Sequence, residues 1–312
     1  MKKYYLLPLF LLFLTISFSQ KKKNTNDGLK SSDLSGLKFR SVGPAFMSGR
    51  IADIAINPEN ENEWYVAVGS GGVWKTVNSG TTWKAITDDQ DFYSTGCITI
   101  DPHNSSKIWL GTGENVGGRH VGIGHGVFVS DNGGKNWKSM GLKSSEHISK
   151  IIVSPKDPNI VFVASQGPLW SSGGERGLYR TDNGGKTWKN VLSVNEWTGV
   201  TDIAIDHNNP NILYAATWQR HRNVASYMGG GPGTSIYKST DHGITWTEIK
   251  NGLPSSNLGK IGLAISPFDS SILYAAVETD RRNGAVYKTT NSGGSWKKMS
   301  DTVSGATGPH YY

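Results

Sequence analysis

The chain lacks the residues that would make it a disulfide-bonded or metal-binding protein. It has one cysteine, Cys97, so no disulfide can form within the chain. Cys97 lies in the apolar run 96–100, where we expect a small buried hydrophobe. The eight histidines show no spacing typical of a metal site, and no cofactor motif is present. The sequence therefore predicts neither a metal nor a cofactor.

Long apolar runs and helical periodicity are also missing. The one apolar run, residues 6–18, is short for a stable membrane span. Lys2 and Lys3 precede it, and Ser17-Phe18-Ser19 follows as a small-x-small site. This pattern predicts a signal peptide over 1–19, cleaved near Ser19 and Gln20, then a flexible leader over 20–36. We therefore expect a secreted or periplasmic protein without stable membrane insertion.

The charge pattern gives little support to nucleic-acid binding. The net charge is +7, with no basic cluster on a helix and no nucleic-acid motif. This mild excess is typical of an ordinary solvated exterior, although it could also favour anionic glycans.

What the chain does have is an eight-residue pattern, here called the box, which occurs five times. Each copy begins with Ser or Thr, has Asn or Asp third and Gly fifth, and ends in Trp. The copies are 76–83, 130–137, 181–188, 239–246 and 289–296. Their Asn or Asp and Trp residues are Asn78, Trp83, Asn132, Trp137, Asn183, Trp188, Asp241, Trp246, Asn291 and Trp296. The period of roughly 50 residues is typical of propellers.

The box predicts a tight turn between two strands. The Asn or Asp side chain is expected to accept from backbone amides about two residues on, and Gly supplies a positive φ. The Trp then anchors the next strand. One short strand precedes each box and two more precede that one, so each repeat holds four strands. We predict an all-β fold, a β-propeller of four-stranded blades over 37–312, with five blades present.

At these boxes the chain resembles the Asp-box (BNR) β-propellers, which include xyloglucanases, sialidases and the sortilin/Vps10 group. The resemblance covers 37–312 at the level of the repeats. It implies a secreted sortilin/Vps10-like propeller that binds peptide or glycan at its mouth. The spacing after Trp296 predicts a sixth blade starting near Tyr312, so we interpret the chain as part of a larger ring.

The alternative is a glycoside hydrolase. The resemblance to xyloglucanases implies a catalytic Asp just after the second strand of the first blade, where this chain has Gly69. Phe39-Arg40-Ser41-Val42 only partly matches the motif that supplies the first arginine of sialidases. Inverting hydrolysis needs two carboxylates, so the full catalytic set is not expected within this chain. Glu114 and Glu175 are the catalytic candidates that it offers.

Long loops between the second and third strands are the predicted ligand site: 111–122, 165–176, 217–233 and 278–283. At one mouth they would gather Arg119, His120, Trp170, Arg176, Trp218, Arg220, His221, Arg222, Arg281 and Arg282. Guanidinium forks suit carboxylates or sulfates, and Trp faces suit sugar rings. Alternatively, the arginines pair with Glu114, Glu175, Glu278 and Asp280 and only stiffen the loops.

Two further patterns are less informative. The glycine run 229–233 lacks the strand-loop-helix context of a phosphate loop, so we predict a flexible loop. Asp53 and Asp202 share a register on inner strands, with Lys150 between them. They are either an acid/base set in the channel or separate, satisfied polar groups.

Overall fold

The computed structural model describes residues 30–37, 49–279 and 284–300, and the chain divides into two compact units, Met1–Met47 and Ser48–Tyr312. The described part of the first unit holds a short 3-10 helix, η1 (Ser31–Leu34), within the predicted leader. The predicted signal peptide and residues 39–42 lie outside the described residues. In the described part of the chain, no helix is long and apolar enough to cross a membrane.

The second unit is built from five four-stranded antiparallel sheets, each a simple meander. Sheet 1 comprises β1 (Ile51–Ile56), β2 (Trp64–Val68), β3 (Gly72–Thr76) and β4 (Lys84–Ala85). Sheet 2 comprises β5 (Thr95–Asp101), β6 (Asn104–Thr112), β7 (Val127–Ser130) and β8 (Lys138–Ser139). Sheet 3 comprises β9 (Ile148–Val153), β10 (Val161–Ser165), β11 (Gly177–Thr181) and β12 (Lys189–Leu192). These sheets confirm the predicted propeller blades.

Sheets 4 and 5 follow the same plan. Sheet 4 comprises β13 (Thr198–Ile205), β14 (Leu213–Gln219), β17 (Ile236–Ser239) and β18 (Thr247–Glu248). Sheet 5 comprises β19 (Leu258–Ile265), β20 (Leu273–Thr279), β21 (Ala285–Thr289) and β22 (Lys297–Lys298). A 3-10 turn, η2 (Lys143–Ser145), links sheets 2 and 3, and a small hairpin extends sheet 4. The hairpin pairs β15 (His221–Arg222) with β16 (Tyr227–Met228), where the sequence predicted only a loop.

The glycine run 229–233 after this hairpin was predicted to be a flexible loop. In the structure its backbone is held by hydrogen bonds on two sides. The amide of Gly231 donates to the Leu258 carbonyl at 3.1 Å, and the amide of Gly233 donates to Gln219 Oε1 at 2.8 Å. A Cβ on Gly231 would lie 2.6 Å from the Gln219 side chain. The glycines therefore permit a close backbone approach rather than free movement.

The hydrophobic core lies between successive sheets. In the first of these interfaces, Tyr65 and Ala67 of sheet 1 pack with Ile108 and Leu110 of sheet 2, and three similar clusters join the later sheets. Each large side chain buried in this way contributes about 1.5–3 kcal/mol.

The first sheet shows what an uncovered blade face looks like. Ile54 on β1 is 53% exposed, whereas its register equivalents Ile98, Ile151 and Ile203 are 3%, 1% and 2% exposed. The difference arises because no sheet among the described residues packs on that face of sheet 1.

Asp53 and Asp202 join neighbouring inner strands. Asp53 Oδ2 accepts from the Ile98 amide at 3.1 Å, and Asp202 Oδ2 accepts from the Leu263 amide at 2.7 Å. Burial raises the pKa of Asp202, although hydrogen bonds from the amides of Leu263 and Ile203 oppose the effect. The geometry favours separate, satisfied polar groups over an acid/base set. With Lys150, Asp53 lines a channel of about 540 Å³ whose other walls are mostly apolar.

The five boxes form the same turn. In each, the hydroxyl of the first residue accepts from the amide of the fifth, as Thr181 does from Gly185 at 3.0 Å. The Asn or Asp side chain accepts from the amide four residues on, at 2.9–3.0 Å, rather than two. The glycine φ angles lie between +77° and +86°. The hydroxyl, to which the sequence analysis gave no role, is thus a main acceptor in the turn.

In a meander, alternate connections share an edge. The box turns therefore lie at one edge of the sheets, the box face, together with the turns between first and second strands. The loops between second and third strands, and the links to the next sheet, lie at the other edge, the loop face. The described parts of the predicted ligand loops lie on the loop face.

Candidate functional site

Three of the predicted arginines, Arg176, Arg220 and Arg222, are buried within the loop face. They are 4%, 0% and 3% exposed. Arg220 donates through Nη1 to the Val116 carbonyl at 2.7 Å and through Nη2 to the Gly167 carbonyl at 3.1 Å. Its Nε has no partner among the described residues. Arg220 thus joins the loops of sheets 2, 3 and 4.

Arg176 holds its own loop in shape. It donates to the carbonyls of Gln166 at 2.7 Å, Gly173 at 2.9 Å and Ser171 at 2.8 Å, and also to that of Pro168. Burial lowers the pKa of Arg176 to about 10, and an attraction to Glu146 partly opposes this. One of the two predicted alternatives was that the arginines only stiffen the loops by pairing with carboxylates. In the structure Arg176 holds its loop through backbone carbonyls instead.

A lysine that the sequence analysis did not select completes this cluster. Lys260 Nζ donates to the Asn115 carbonyl at 2.6 Å and lies 5.4 Å from the ring centroid of Trp218. Burial, followed by repulsion from Arg220, lowers the pKa of Lys260 to about 8. The sequence feature that could have revealed the role of Lys260 is a single charged residue within the otherwise apolar strand Leu258-Gly259-Lys260-Ile261.

Two predicted aromatic groups support this interior. Trp218 is buried, donates through Nε1 to the Gly229 carbonyl at 2.8 Å and also stacks on the Arg220 guanidinium at 5.2 Å. The His221 ring lies 4.5 Å from Trp197, and its Nδ1 has no partner among the described residues.

The predicted residues that face solvent are Arg119, His120 and Trp170. Trp170 is 43% exposed, and Arg119 donates to the Val224 carbonyl at 3.3 Å. Tyr93, Ile123 and Val224 also present exposed apolar surface in loop-face segments, although no repeat marks them. Arg281 and Arg282 lie outside the described residues. A ligand arriving from solvent therefore meets this exposed set first.

Of the two candidate carboxylates, Glu114 occupies the space next to Gly69. A Cβ on Gly69 would lie 2.2 Å from Glu114 Oε1. Glu114 pairs with Arg50 and accepts from the Gly122 amide at 3.0 Å, and its side chain is 3% exposed. Arg50, which the sequence analysis missed, is 34% exposed. Glu175 accepts from the Ser144 amide at 2.7 Å.

Metal chemistry finds no support in the described part of the chain, which holds no group of three or more His, Cys, Asp or Glu able to ligate an ion. The exposed polar groups among the predicted loop-face residues include the donors of Arg119 and His120. They suit hydrogen bonding to a polar or anionic ligand.

The amino-acid sequence is similar to those of xyloglucanases. It is 28% identical over 258 residues to a xyloglucanase of Hypocrea jecorina, and 30% identical over 261 residues to xyloglucanase Xgh74A of Acetivibrio thermocellus. Each match covers 71% of this chain but 28% of the relative, so the chain spans under a third of those proteins. No protein-family model matches the chain.

Solved structures agree on the architecture. The GH74 enzyme of Niastella koreensis matches with a TM-score of 0.61 at 18% identity, over 80% of this chain and 38% of that one. A structure of YCF48 bound to D1 peptide matches with a TM-score of 0.53 at 15% identity, over 84% and 71%. Identities this low show the fold alone, so the chain is a β-propeller. The sortilin/Vps10 assignment stays a prediction, and the sequence relatives agree with the hydrolase alternative.

Proposed function

We propose that this chain is a glycan-binding propeller of the xyloglucanase-like type, and that its loop face holds the polysaccharide. The observation that carries the proposal is the 30% identity to a xyloglucanase over 261 residues. The repeated boxes and the predicted signal peptide support a secreted Asp-box propeller, so we place its action outside the cytosol.

The geometry of the loop face suits a sugar chain. Trp170 offers a flat ring to solvent, and the charged Arg119 and the imidazole of His120 lie on the loop of the preceding blade. Aromatic faces and planar donors are the groups that sugar rings and their hydroxyls use. Arg176 and Arg220 fix the loops that carry them, which lowers the entropy lost on binding.

We assign this chain to binding rather than to bond cleavage. Hydrolysis with inversion needs two carboxylates with a water between them. Glu114 stands where a side chain at residue 69 would project, but it is buried and paired with Arg50. In this proposal Glu114 orients the guanidinium of Arg50, which is partly exposed and can reach a hydroxyl of the ligand.

Calorimetric titration of the full chain with a xyloglucan oligosaccharide tests the proposal. We expect binding that Trp170→Ala weakens at least about tenfold, the loss of one stacked ring. Ile244→Ala, an exposed apolar residue of the fourth box turn, is the matched control and should change affinity less than about twofold.

Two results would reject the proposal. One is no binding of xyloglucan by a chain that instead retains peptides from a random peptide library. The other is equal affinity for the wild-type protein and Trp170→Ala, which would remove the loop face as the binding surface.

A further inference from the structure

Three consecutive carbonyls of the sheet 2 loop are held by cations from sheets 4 and 5. The carbonyl of Asn115 accepts from Lys260, that of Val116 from Arg220, and that of Gly117 from Arg222 Nε at 3.0 Å. We call residues 115–117 the strap. Sheets 2 and 5 are not neighbours, so the strap links blades that are separated by sheets 3 and 4.

The cations under the strap form no direct ion pair among the described residues, although Asp202 and Glu278 attract Lys260 and Glu146 attracts Arg220. None of Arg220, Arg222 and Lys260 forms an ion pair with a carboxylate in the part of the chain that the structure describes. Buried charges in proteins are normally paired with charges of opposite sign. Here neutral carbonyls take that place, and burial lowers the pKa of Arg220 to about 9.

A buried donor of the same cluster is also left over. Arg220 is fully buried, and its Nε has no partner among the described residues. A buried donor without an acceptor costs about 1–3 kcal/mol. The closed arrangement therefore leaves Arg220 incompletely satisfied, as expected of a site whose preferred partner is an anion.

The bonding and the glycine content of the strap are compatible with its moving away from the three cations. Its hydrogen bonds to the three cations use backbone carbonyls, with one weaker contact from the Asn115 side chain at 3.4 Å. Gly113 on one side has a φ of +84°, and Gly117, Gly118 and Gly122 lie within or after it. Glycines give such a segment a wide choice of backbone conformations.

We propose that the strap covers a latent anion site, in which Arg220, Arg222 and Lys260 pair with a carboxylate or sulfate group once the strap has moved. The carbonyls occupy the site in the closed state. A ligand that binds only the open state shifts the equilibrium towards it, and its apparent affinity is reduced by the open fraction. This inference does not depend on the proposed binding of xyloglucan.

Gly117→Ala opens the strap without changing a cation. A Cβ at residue 117 would lie 1.9 Å from the hydroxyl oxygen of Tyr227, so either the strap or the Tyr227 ring must shift. We expect faster hydrogen exchange in residues 113–122. Affinity for the anionic probes should rise by about ten- to a hundredfold, the gain for a site open in 1–10% of molecules.

The probes are inorganic sulfate and oligogalacturonate, each compared with chloride at equal ionic strength. A gain for both indicates a site for the anionic group itself, and a gain for oligogalacturonate alone indicates an acidic glycan. Adding Tyr227→Ala to Gly117→Ala restores the room for the methyl group and should return exchange to the wild-type rate. Adding Lys260→Gln to Gly117→Ala should remove most of the affinity gain.

Two results overturn the proposal. Faster exchange without a gain for either probe would make the cations a purely structural clamp. Unchanged exchange in a folded Gly117→Ala protein would show that Tyr227 does not confine the strap. If Gly117→Ala does not fold, Lys260→Gln in the wild-type background replaces it: faster exchange at 113–122 supports the strap, and unchanged exchange rejects it.

Discussion

The two faces of this propeller are stabilised over very different sequence distances. On the box face, the side-chain hydrogen bonds that shape each turn close within eight residues, as Thr181 and Asn183 do with Gly185 and Thr187. The backbone bond that ties each turn to its own sheet is also short-range, as from the Gly184 amide to the Asn159 carbonyl. On the loop face, Lys260 reaches a carbonyl 145 residues away and Arg220 one 104 residues away. The shape of each box turn is therefore specified locally and repeated, although neighbouring blades also touch there, as Tyr214 does with the Ser292 carbonyl. The loop face is instead joined by contacts between distant loops.

The largest effect that we expect comes from breaking the loop face at its centre. Arg220→Ala removes a fully buried side chain and leaves the carbonyls of Val116 and Gly167 without their donor. We predict a loss of about 3 kcal/mol in the free energy of unfolding, measured by urea denaturation.

Arg119→Ala is the matched control, since Arg119 is exposed and makes one contact of 3.3 Å to a carbonyl. Its loss should stay below about 0.5 kcal/mol. Equal losses for the two variants would contradict the view that the buried arginines hold the loops together.

The second-largest loss of stability is expected from a substitution that disrupts one box turn. Gly185 has a φ of +86°, and a Cβ there would lie 2.9 Å from the Met140 side chain and 3.0 Å from that of Trp109. Gly185→Ala should cost about 2–3 kcal/mol, from left-handed backbone strain plus crowding in the core.

Gly173→Ala separates these two causes, because Gly173 has a φ of +68° but nothing within 4 Å of the added methyl. We expect it to cost about 1 kcal/mol, the strain alone. Thermal unfolding measures the loss of stability in both variants. An equal loss at Gly173 and Gly185 would show that crowding in the core does not contribute to the cost at Gly185.

The pH dependence of the unfolding free energy tests whether the charge of Lys260 is buried. Its pKa is about 8 in the folded protein, below its ordinary value of 10.5, so the unfolded chain binds more protons between these values. The unfolding free energy should therefore gain a contribution as pH rises from about 8 to 10.5. Lys260→Met should lack this contribution in denaturation curves across that range, whereas identical pH profiles would show that the charge is not buried.

The smallest effect concerns the one box that carries Asp. Hydrogen bonds from the side chain and amide of Thr245 lower the pKa of Asp241 to about 2, from 3.8. Its contribution is present above pH 3.8 and is lost as pH falls towards 2. Asp241→Asn should lose less stability over that interval, in line with the four Asn boxes. A larger loss of stability on acidification in Asp241→Asn than in the wild type would contradict this prediction.

The sequence predicted what is local. Box residues such as Asn183 and Gly185 specify their own turn, and the repeated short segments before each box predict its strands. The roles of Lys260, Arg50 and the box hydroxyls were missed. Lys260 acts through Asn115 and Trp218 on other blades, and no pattern along the chain reveals which loop it reaches. Trp218 was predicted to face a ligand, yet it is buried between Arg220 and Lys260, because loop packing decides exposure.

The most direct test of the central claim is hydrogen exchange of the full chain with and without a saturating xyloglucan oligosaccharide. If the loop face binds and the box face is scaffold, protection will appear in residues 113–122, 165–176 and 217–228, and the five box turns will be unchanged. Protection in the box turns, or no protection anywhere, would contradict the account.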